Sequence, residues 1–203
     1  PAHNVQVAND ESDYVVQTSS DPIRFDGTYA RYKWVTTSTN LSAKKIDSEV
    51  NMKKSRFDIN DKETDVAILK IEGNFPAVEL GDSTLLDTGD RLTAIGFPAV
   101  VDGGIDTKKE KTVPTVTQGN LRQTILDGGG HKLFFMSTMI ASGNSGGPAF
   151  DSKGKQVGIN TYGGAACEDE KKGNSCFGQG VARDISDLKA MAKKNNVAIS
   201  ADG

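Results

Sequence analysis

Short runs of alternating or mixed apolar and polar residues, separated by turn-forming residues, make up most of the chain. Such runs are typical of strands with one buried face, and the glycine, asparagine, aspartate and proline residues between them indicate turns. The predicted strands are residues 29–37, 65–73, 91–98, 115–126, 132–140, 155–162 and 177–183. Strands at this regular spacing predict an all-β barrel or sandwich.

A helix is predicted near the C-terminal end, over residues 184–197. Asp184 or Ser186 can cap its first turn, and Lys193 and Lys194 lie near its end, where positive charge is favoured. Its apolar face consists of Ile185, Leu188, Met191 and Ala192. This face is expected to pack against the rest of the fold rather than to bind a ligand.

The length of 203 residues suits one large domain or two small ones, and the composition is that of a soluble globular protein. The 24 basic and 27 acidic residues are scattered, so nucleic acid and anionic membrane surfaces are not expected as partners. Apolar runs such as 66–69 and 139–141 are far too short to span a bilayer. Residues 58–65 lack the central glycine and spaced ligands of a calcium loop, and no metal or cofactor is expected.

The two cysteines, Cys167 and Cys176, bracket a short polar loop that contains the turn residues Gly173 and Asn174. A disulfide between them is expected, and with it an extracytoplasmic location; the alternative is two free thiols in a reducing compartment. The sequence begins at Pro1 without a signal peptide, which is expected either of a processed, mature protein or of a cytosolic one. The cysteine pair favours the processed form.

The stretch SGNSGGPAF at 142–150 places Ser145 among small residues. Gly143, Gly146 and Gly147 permit a tight turn, which can present a nucleophilic hydroxyl beside backbone N–H groups that hold an oxyanion. A serine nucleophile also needs a base, and the chain contains only two histidines, His3 and His131.

Five motifs, taken in order, resemble those of the trypsin-like (chymotrypsin-fold) serine peptidases, most closely the bacterial HtrA and glutamyl-endopeptidase branch. They are TDVAILKI (64–71), GDRLTAIGFP (89–98), TVTQGNL (115–121), GNSGGP (143–148) and GKQVGINTYG (154–163). The resemblance implies two packed antiparallel six-stranded β-barrels with a C-terminal helix. The implied division is an N-terminal barrel at 1–85, a C-terminal barrel with the serine loop at 86–183, and a helix and tail at 184–203.

The resemblance also assigns roles to individual residues. It implies Ser145 as the nucleophile, Asp65 as the orienting aspartate, and an oxyanion hole at Gly143, Asn144 and Ser145. The residues implied to line the substrate groove and primary pocket are Met139, Thr161, Tyr162 and Gly163.

The position of the family's histidine falls within WVTTSTNLSA at 34–43. Trp34, Val35 and Thr36 match the residues that precede it, which places Thr39 in the histidine position, or Asn40 if the register moves by one. Neither a threonine hydroxyl nor a neutral amide can accept the proton of a serine near physiological pH. The catalytic base is therefore missing from this position.

Other residues are poor substitutes for that base. Six extended residues after His131 alone span on the order of 20 Å, whereas proton transfer needs about 3 Å. His3 lies on a terminus, and Lys44 and Lys45 carry no sign of burial in the sequence.

Three hypotheses follow. The first is a pseudoprotease that binds extended peptides or a partner protein. The second is a working serine endopeptidase whose base comes from His3, a lysine or a partner, and the third is an engineered variant of an active enzyme with its histidine replaced. The oligomeric state is left open by the sequence.

Overall fold

The protein is described from a computed structural model, which covers residues 4–6, 14–19, 38–49, 60, 62–73, 75, 77–96, 115–141, 144–164 and 179–199. At 4–6, 14–19, 38–42, 164 and 179 only the backbone is described. The predicted strand at 29–37 lies outside these residues, as do both cysteines and the disulfide expected between them.

Strands dominate the described part of the chain, as the alternating pattern predicts. They are β1 (Asn4–Gln6), β2 (Tyr14–Ser19), β3 (Ser38–Glu49), β4 (Val66–Ile71), β5 (Arg91–Gly96), β6 (Thr115–Leu126), β7 (Lys132–Met136), β8 (Pro148–Phe150), β9 (Gln156–Gly164) and β10 (Gln179–Asp184). A 3₁₀ turn at Ser83–Leu85 and helix α1 (Ile185–Lys194) complete the described elements.

The first four strands form an antiparallel sheet in the order β1-β2-β3-β4. Strand β3 carries the two candidate histidine positions: Thr39 lies opposite Thr18, and Asn40 lies opposite Gln17. A closed N-terminal barrel, predicted from the resemblance, is not confirmed, because the described residues of this half form an open four-stranded sheet.

The remaining six strands close into a barrel in the order β5-β6-β7-β10-β9-β8, which confirms the predicted C-terminal barrel. Its interior is filled by apolar side chains from all six strands and by Ile140, which follows β7. The core residues are Leu92, Ala94, Leu121, Phe134, Met136, Ile140, Ala149, Val157 and Ala182. Complete burial of each large member stabilises the fold by about 1.5–3 kcal/mol, so this cluster is the main source of the barrel's stability.

Strand β7 ends at Met136, four residues before the end of the predicted strand at 140. Beyond it, the N–H of Ser137 donates to the Asn120 carbonyl at 2.9 Å, and Ser137 Oγ accepts from the Asn120 N–H at 2.8 Å. The chain then leaves the strand and turns Ile140 into the core, where only 5% of its surface remains exposed. The prediction of a strand through residue 140 is therefore wrong at its C-terminal end.

Helix α1 starts one residue later than predicted and ends three residues earlier. Asp184 caps it by accepting a hydrogen bond from the Ser186 N–H at 2.8 Å, and it also accepts from Ser83 Oγ at 2.6 Å. At the other end, Lys194 Nζ lies 3.0 Å from Asp47 Oδ2, which attaches the helix to β3. No helix in the described part of the chain is long and apolar enough to cross a membrane.

The segment that leads from the first sheet to the barrel is fixed to β9. The Gln156 N–H donates to the Glu79 carbonyl at 2.8 Å, and the Gly81 N–H donates to the Gln156 carbonyl at 2.8 Å. Lys189 of α1 donates to the Gly81 carbonyl at 2.7 Å. These bonds hold the end of the connecting segment against the barrel and the helix.

Candidate functional site

The loop that carries Ser145 is attached to strand β9 by backbone hydrogen bonds. The Gly146 N–H donates to the Asn160 carbonyl at 2.7 Å, and the Asn160 N–H donates to the Gly147 carbonyl at 2.8 Å. Gly146 has φ 81°, in the left-handed region that glycine occupies without strain. The backbone therefore turns tightly at Ser145, as the run of glycines predicts.

Ser145 is exposed, and its hydroxyl contacts a main-chain group. Its Oγ donates a hydrogen bond to the carbonyl oxygen of Thr161 at 3.1 Å. A backbone carbonyl accepts hydrogen bonds but does not act as a base near neutral pH, so this contact does not convert the hydroxyl into a nucleophile.

Asp65 stands immediately before strand β4 on the first sheet. Its φ of 52° lies in the left-handed region, which aspartate tolerates better than most residues. Its Oδ2 accepts a hydrogen bond from Thr161 Oγ1. The preceding Thr64 is buried and donates to Glu49 Oε2 at 3.2 Å, which holds the backbone beside Asp65.

Thr161 is therefore the residue that joins the two sides of the site. Its side chain contacts Asp65 of the first sheet, and its backbone carbonyl contacts Ser145 of the barrel. The sequence predicts Thr161 only as a groove residue. Its contact with Asp65 depends on how the sheet packs against the barrel, for which the sequence carries no local signal.

Asn144 is buried within the serine loop, and its N–H donates to the Ala141 carbonyl at 3.0 Å. Gly96 of β5 lies against it: a Cβ added at Gly96 would lie 2.5 Å from Asn144 Oδ1. The loop thus requires a residue without a side chain at position 96.

Three of the predicted groove residues, Thr161, Tyr162 and Gly163, lie near the C-terminal end of β9, and the fourth, Met139, precedes the Ser145 loop. Strand β8 pairs with β9 only as far as Ile159, so the edge beyond it lies beside the Ser145 loop. Tyr162 and Met139 are 36% and 67% exposed, respectively. Gly163 is half-buried against Ile140.

For several predicted site residues the structure does not describe the side chain, so their roles remain predictions. Gly143 and His3 lie outside the described residues, and so do Cys167 and Cys176. At Thr39 and Asn40 the structure describes the backbone of β3 alone. The oxyanion pocket that the resemblance implies is therefore a prediction resting on the sequence of the loop.

His131 lies in the turn between β6 and β7, where its ring contacts helix α1. Its Nδ1 is 2.9 Å from Asp187 Oδ1, and its backbone N–H donates to Asp127 Oδ1 at 2.9 Å. Burial raises the pKa of Asp187, although the hydrogen bond with His131 opposes that effect. The contact with Asp187, which the sequence does not predict, holds the ring at the helix.

A buried ion pair lies next to this histidine. Arg183 Nη1 donates to Asp127 Oδ2, and the two side chains are only 2% and 0% exposed. Arg183 Nη2 also donates to the Glu63 carbonyl at 3.1 Å. Burial raises the pKa of Asp127, but the Arg183 bond and two backbone N–H donors outweigh it and lower that pKa. Through Glu63, the pair anchors the segment that leads into Asp65.

A family model described as the trypsin-like peptidase domain matches residues 2–159. One curated relative, a probable periplasmic serine endoprotease DegP-like of Pseudomonas putida (strain GB-1), is 42% identical over 106 residues, covering 50% of this chain and 20% of the relative. The putative serine protease HhoB of Synechocystis is 35% identical over 101 residues, covering 48% of this chain and 23% of the relative. The chain thus spans about a fifth of the length of these relatives.

A solved structure of the HtrA-type protease AlgW with decapeptide is similar to this chain, with a TM-score of 0.58 and 25% sequence identity. The superposition covers 91% of this chain and 44% of the other. The similarity to that structure therefore extends over both the four-stranded sheet and the closed barrel.

Proposed function

Since this chain belongs to the trypsin-like peptidase domain family, with HtrA- and DegP-like proteases among its relatives, we propose that it is a pseudoprotease that binds extended peptides. In this function the cleft of the family still binds peptides but does not hydrolyse them efficiently. It rests chiefly on one observation: the Ser145 hydroxyl donates to the carbonyl of Thr161, and Thr161 in turn donates to Asp65.

The chemistry of this arrangement supports loss of catalysis. In a serine triad, an imidazole stands between the hydroxyl and the carboxylate and accepts the proton of the hydroxyl. Here the resemblance assigns that position to Thr39 or Asn40, neither of which is basic. Loss of the base costs about 10⁶ in turnover number and leaves only ~10³–10⁴ over the uncatalysed rate.

Binding of a peptide needs no base. An extended peptide can add to the edge of β9 beyond Asn160 through main-chain hydrogen bonds, with its side chains on the neighbouring surface. Thr161 and Gly163 lie on this edge, close to Ser145. The AlgW structure is named with a decapeptide, which supports peptide binding by this chain.

Two further predictions belong to this proposal. The word periplasmic in the names of the DegP-like relatives, together with the cysteine pair, supports an extracytoplasmic location. The division into residues 1–85, 86–183 and 184–203 is retained, with the cleft between the first two parts as the binding site.

Two measurements on the purified protein test the proposal. We expect little or no labelling of Ser145 by a fluorophosphonate probe at neutral pH, beside an active trypsin-like peptidase as positive control. We also expect a fluorescein-labelled valine–threonine decapeptide to bind, and to bind equally well to Ser145→Ala. Stoichiometric labelling that is abolished in Ser145→Ala would instead show an activated serine, as in a working endopeptidase. Absence of peptide binding would contradict the proposed binding function.

A further inference from the structure

Thr161 occupies a bulge in the pairing of β9 with β10. Tyr162 pairs with Val181 and Asn160 pairs with Ala182, which leaves Thr161 as the extra residue between them. The extra residue of a bulge lies outside the ladder of backbone pairs, and its side chain is often directed toward a functional site. The orientation of Thr161 therefore depends on contacts outside the β9–β10 ladder.

One of these contacts is with Asp65, whose own backbone conformation needs support. Its φ of 52° is in the left-handed region, and a residue other than glycine stays there only where the surrounding structure fixes it. The carboxylate of Asp65 accepts the hydrogen bond from Thr161 in this conformation. The contact thus requires that the chain before Asp65 be held in place.

The turn between β6 and β7 lies directly against the segment that leads into Asp65. A Cβ added at Gly128 would lie 2.3 Å from the Asn60 carbonyl oxygen, and one added at Gly129 would lie 2.7 Å from the Lys62 carbonyl oxygen. The backbone of the turn therefore contacts the backbone of the segment at two points.

Arg183 joins the same segment to the same turn. Its Nη2 donates to the Glu63 carbonyl at 3.1 Å, and its Nη1 donates to Asp127 Oδ2. The other oxygen of Asp127 accepts from the N–H groups of Gly129 and His131, each at 2.9 Å, which fixes the shape of the turn. One buried guanidinium thus connects the segment to the carboxylate that organises the turn.

We propose that Arg183 and Gly128 are positioning residues of the cleft. They hold the segment that leads into Asp65, so that its carboxylate meets Thr161 and keeps the bulged end of β9 ready to accept a peptide strand. The effect on peptide affinity rests on the proposed function, whereas the placement of Asp65 can be measured without any peptide.

Two variants displace the segment by different means. Gly128→Ala adds a Cβ that meets the Asn60 backbone, which cannot rotate away, and the φ of Gly128 lies outside the left-handed region, so alanine itself is not strained. Arg183→Lys keeps the positive charge but lacks the planar fork that reaches both Glu63 and Asp127. Circular dichroism establishes that each variant is folded.

The methyl signal of Thr161 in a carbon–proton NMR spectrum reports its contact with Asp65. Asp65→Ala removes the carboxylate and gives the chemical shift of the broken contact. In Gly128→Ala and Arg183→Lys, we expect the signal to move from the wild-type position toward that reference.

Leu92→Ala is the control for a general loss of stability. Leu92 is fully buried in the apolar core of the barrel, on β5, so its truncation lowers the free energy of unfolding. We expect Leu92→Ala to leave the Thr161 signal at the wild-type position. A purely structural role of Arg183 and Gly128 would lower stability without moving that signal.

Peptide affinity is measured by fluorescence anisotropy with the fluorescein-labelled valine–threonine decapeptide. A loosened end of β9 must be ordered again on binding, so the dissociation constant should rise about threefold to tenfold in Gly128→Ala and Arg183→Lys. Folded Leu92→Ala should bind the decapeptide as tightly as the wild type.

An unmoved Thr161 signal in folded Gly128→Ala and Arg183→Lys would overturn the inference. A moved signal with unchanged affinity would also overturn it, as would an equal loss of affinity in Leu92→Ala. If the wild type binds no peptide, the proposed function fails and the effect on affinity falls with it. The Thr161 signal would then still decide whether Arg183 and Gly128 position Asp65.

Discussion

The hydroxyl of Thr161 donates to the carboxylate of Asp65, although the two residues are 96 positions apart in the chain. Thr161 belongs to the closed barrel, and Asp65 immediately precedes strand β4 of the four-stranded sheet. Because the Thr161 carbonyl also accepts from Ser145, the geometry of the whole site depends on this one residue of β9.

Replacement of Thr161 by valine should weaken the attachment of the first sheet. Valine has a similar shape but cannot donate to Asp65, and a hydrogen bond to a carboxylate at a partly exposed site contributes about 1 kcal/mol. Urea denaturation should show this loss in the free energy of unfolding.

Thr161→Ser keeps the hydroxyl and serves as the matched control, with a stability close to that of the wild type. If Thr161→Val and Thr161→Ser have the same stability, the bond to Asp65 contributes nothing to attachment of the sheet.

Replacement of Arg183 by methionine should be far more damaging. It leaves the Asp127 carboxylate buried without its partner, and breaking a buried pair on one side costs about 3–5 kcal/mol. The double variant Arg183→Met with Asp127→Asn should recover part of that loss, because the unpaired charge is removed while Oδ1 still accepts from backbone N–H groups. Denaturation of the two single variants and the double variant measures the coupling; strictly additive effects would argue against the pair.

The stability of the protein should fall on acidification because of Asp127. Its pKa in the folded state is lowered from 3.8, so the unfolded chain takes up the proton first as the pH falls. The contribution of Asp127 is complete above about pH 5 and is lost as the pH falls through 3.8 toward the lower folded value. In Asp127→Asn, the free energy of unfolding should vary less steeply with pH below 5 than in the wild type; equal slopes would contradict this assignment.

Removal of the His131 ring should raise the pKa of Asp187 further. Burial already raises it, and His131 is the group that most opposes the effect. In His131→Leu, a carbon-detected NMR titration of the Asp187 carboxyl should show a higher pKa than in the wild type, and each unit corresponds to about 1.4 kcal/mol lost from the charged state. His131→Gln can still donate a hydrogen bond and should give an intermediate value; an unchanged pKa in both variants would be inconsistent with the contact.

Introduction of a histidine at position 39 should restore activity to Ser145 if the rest of the site is intact. A base in this position is worth up to about 10⁶ in turnover number, so even partial recovery would be measurable by fluorophosphonate labelling and peptide hydrolysis. Thr39 and Asn40 are successive residues of β3, and the resemblance assigns the histidine position to one or the other. Only one of Thr39→His and Asn40→His should therefore respond, and Ser145→Ala should abolish the response. No gain in either variant would indicate a cleft damaged beyond the loss of its base.

The elements that the sequence predicts well are those with strong local signals. Strand β6 has the predicted bounds, Thr115 to Leu126, because its residues alternate and a glycine-rich turn follows. Helix α1 begins at Ile185 because Asp184 caps it, as expected from the sequence. The turn at Ser145 likewise follows from its glycines.

The parts that the sequence does not predict depend on contacts between distant segments. The Arg183–Asp127 pair joins residues 56 positions apart, and the burial of Ile140 requires β9 and β10 to present glycines at the same point. Strand β8, from Pro148 to Phe150, is too short to produce a recognisable alternation. Such features depend on how the closed barrel brings distant strands together, and the hydrophobic pattern of the sequence does not specify that arrangement.

The placement of β3 has a consequence for how such a protein can evolve. Its described partners are β2 and β4, and no described strand of the barrel pairs with it. A change at Thr39 therefore disturbs none of the hydrogen bonds that hold Ser145 on β9. A mutation on β3 can therefore change what the first sheet contributes to the cleft and leave the attachment of the Ser145 loop to the barrel in place, open to selection for a new role.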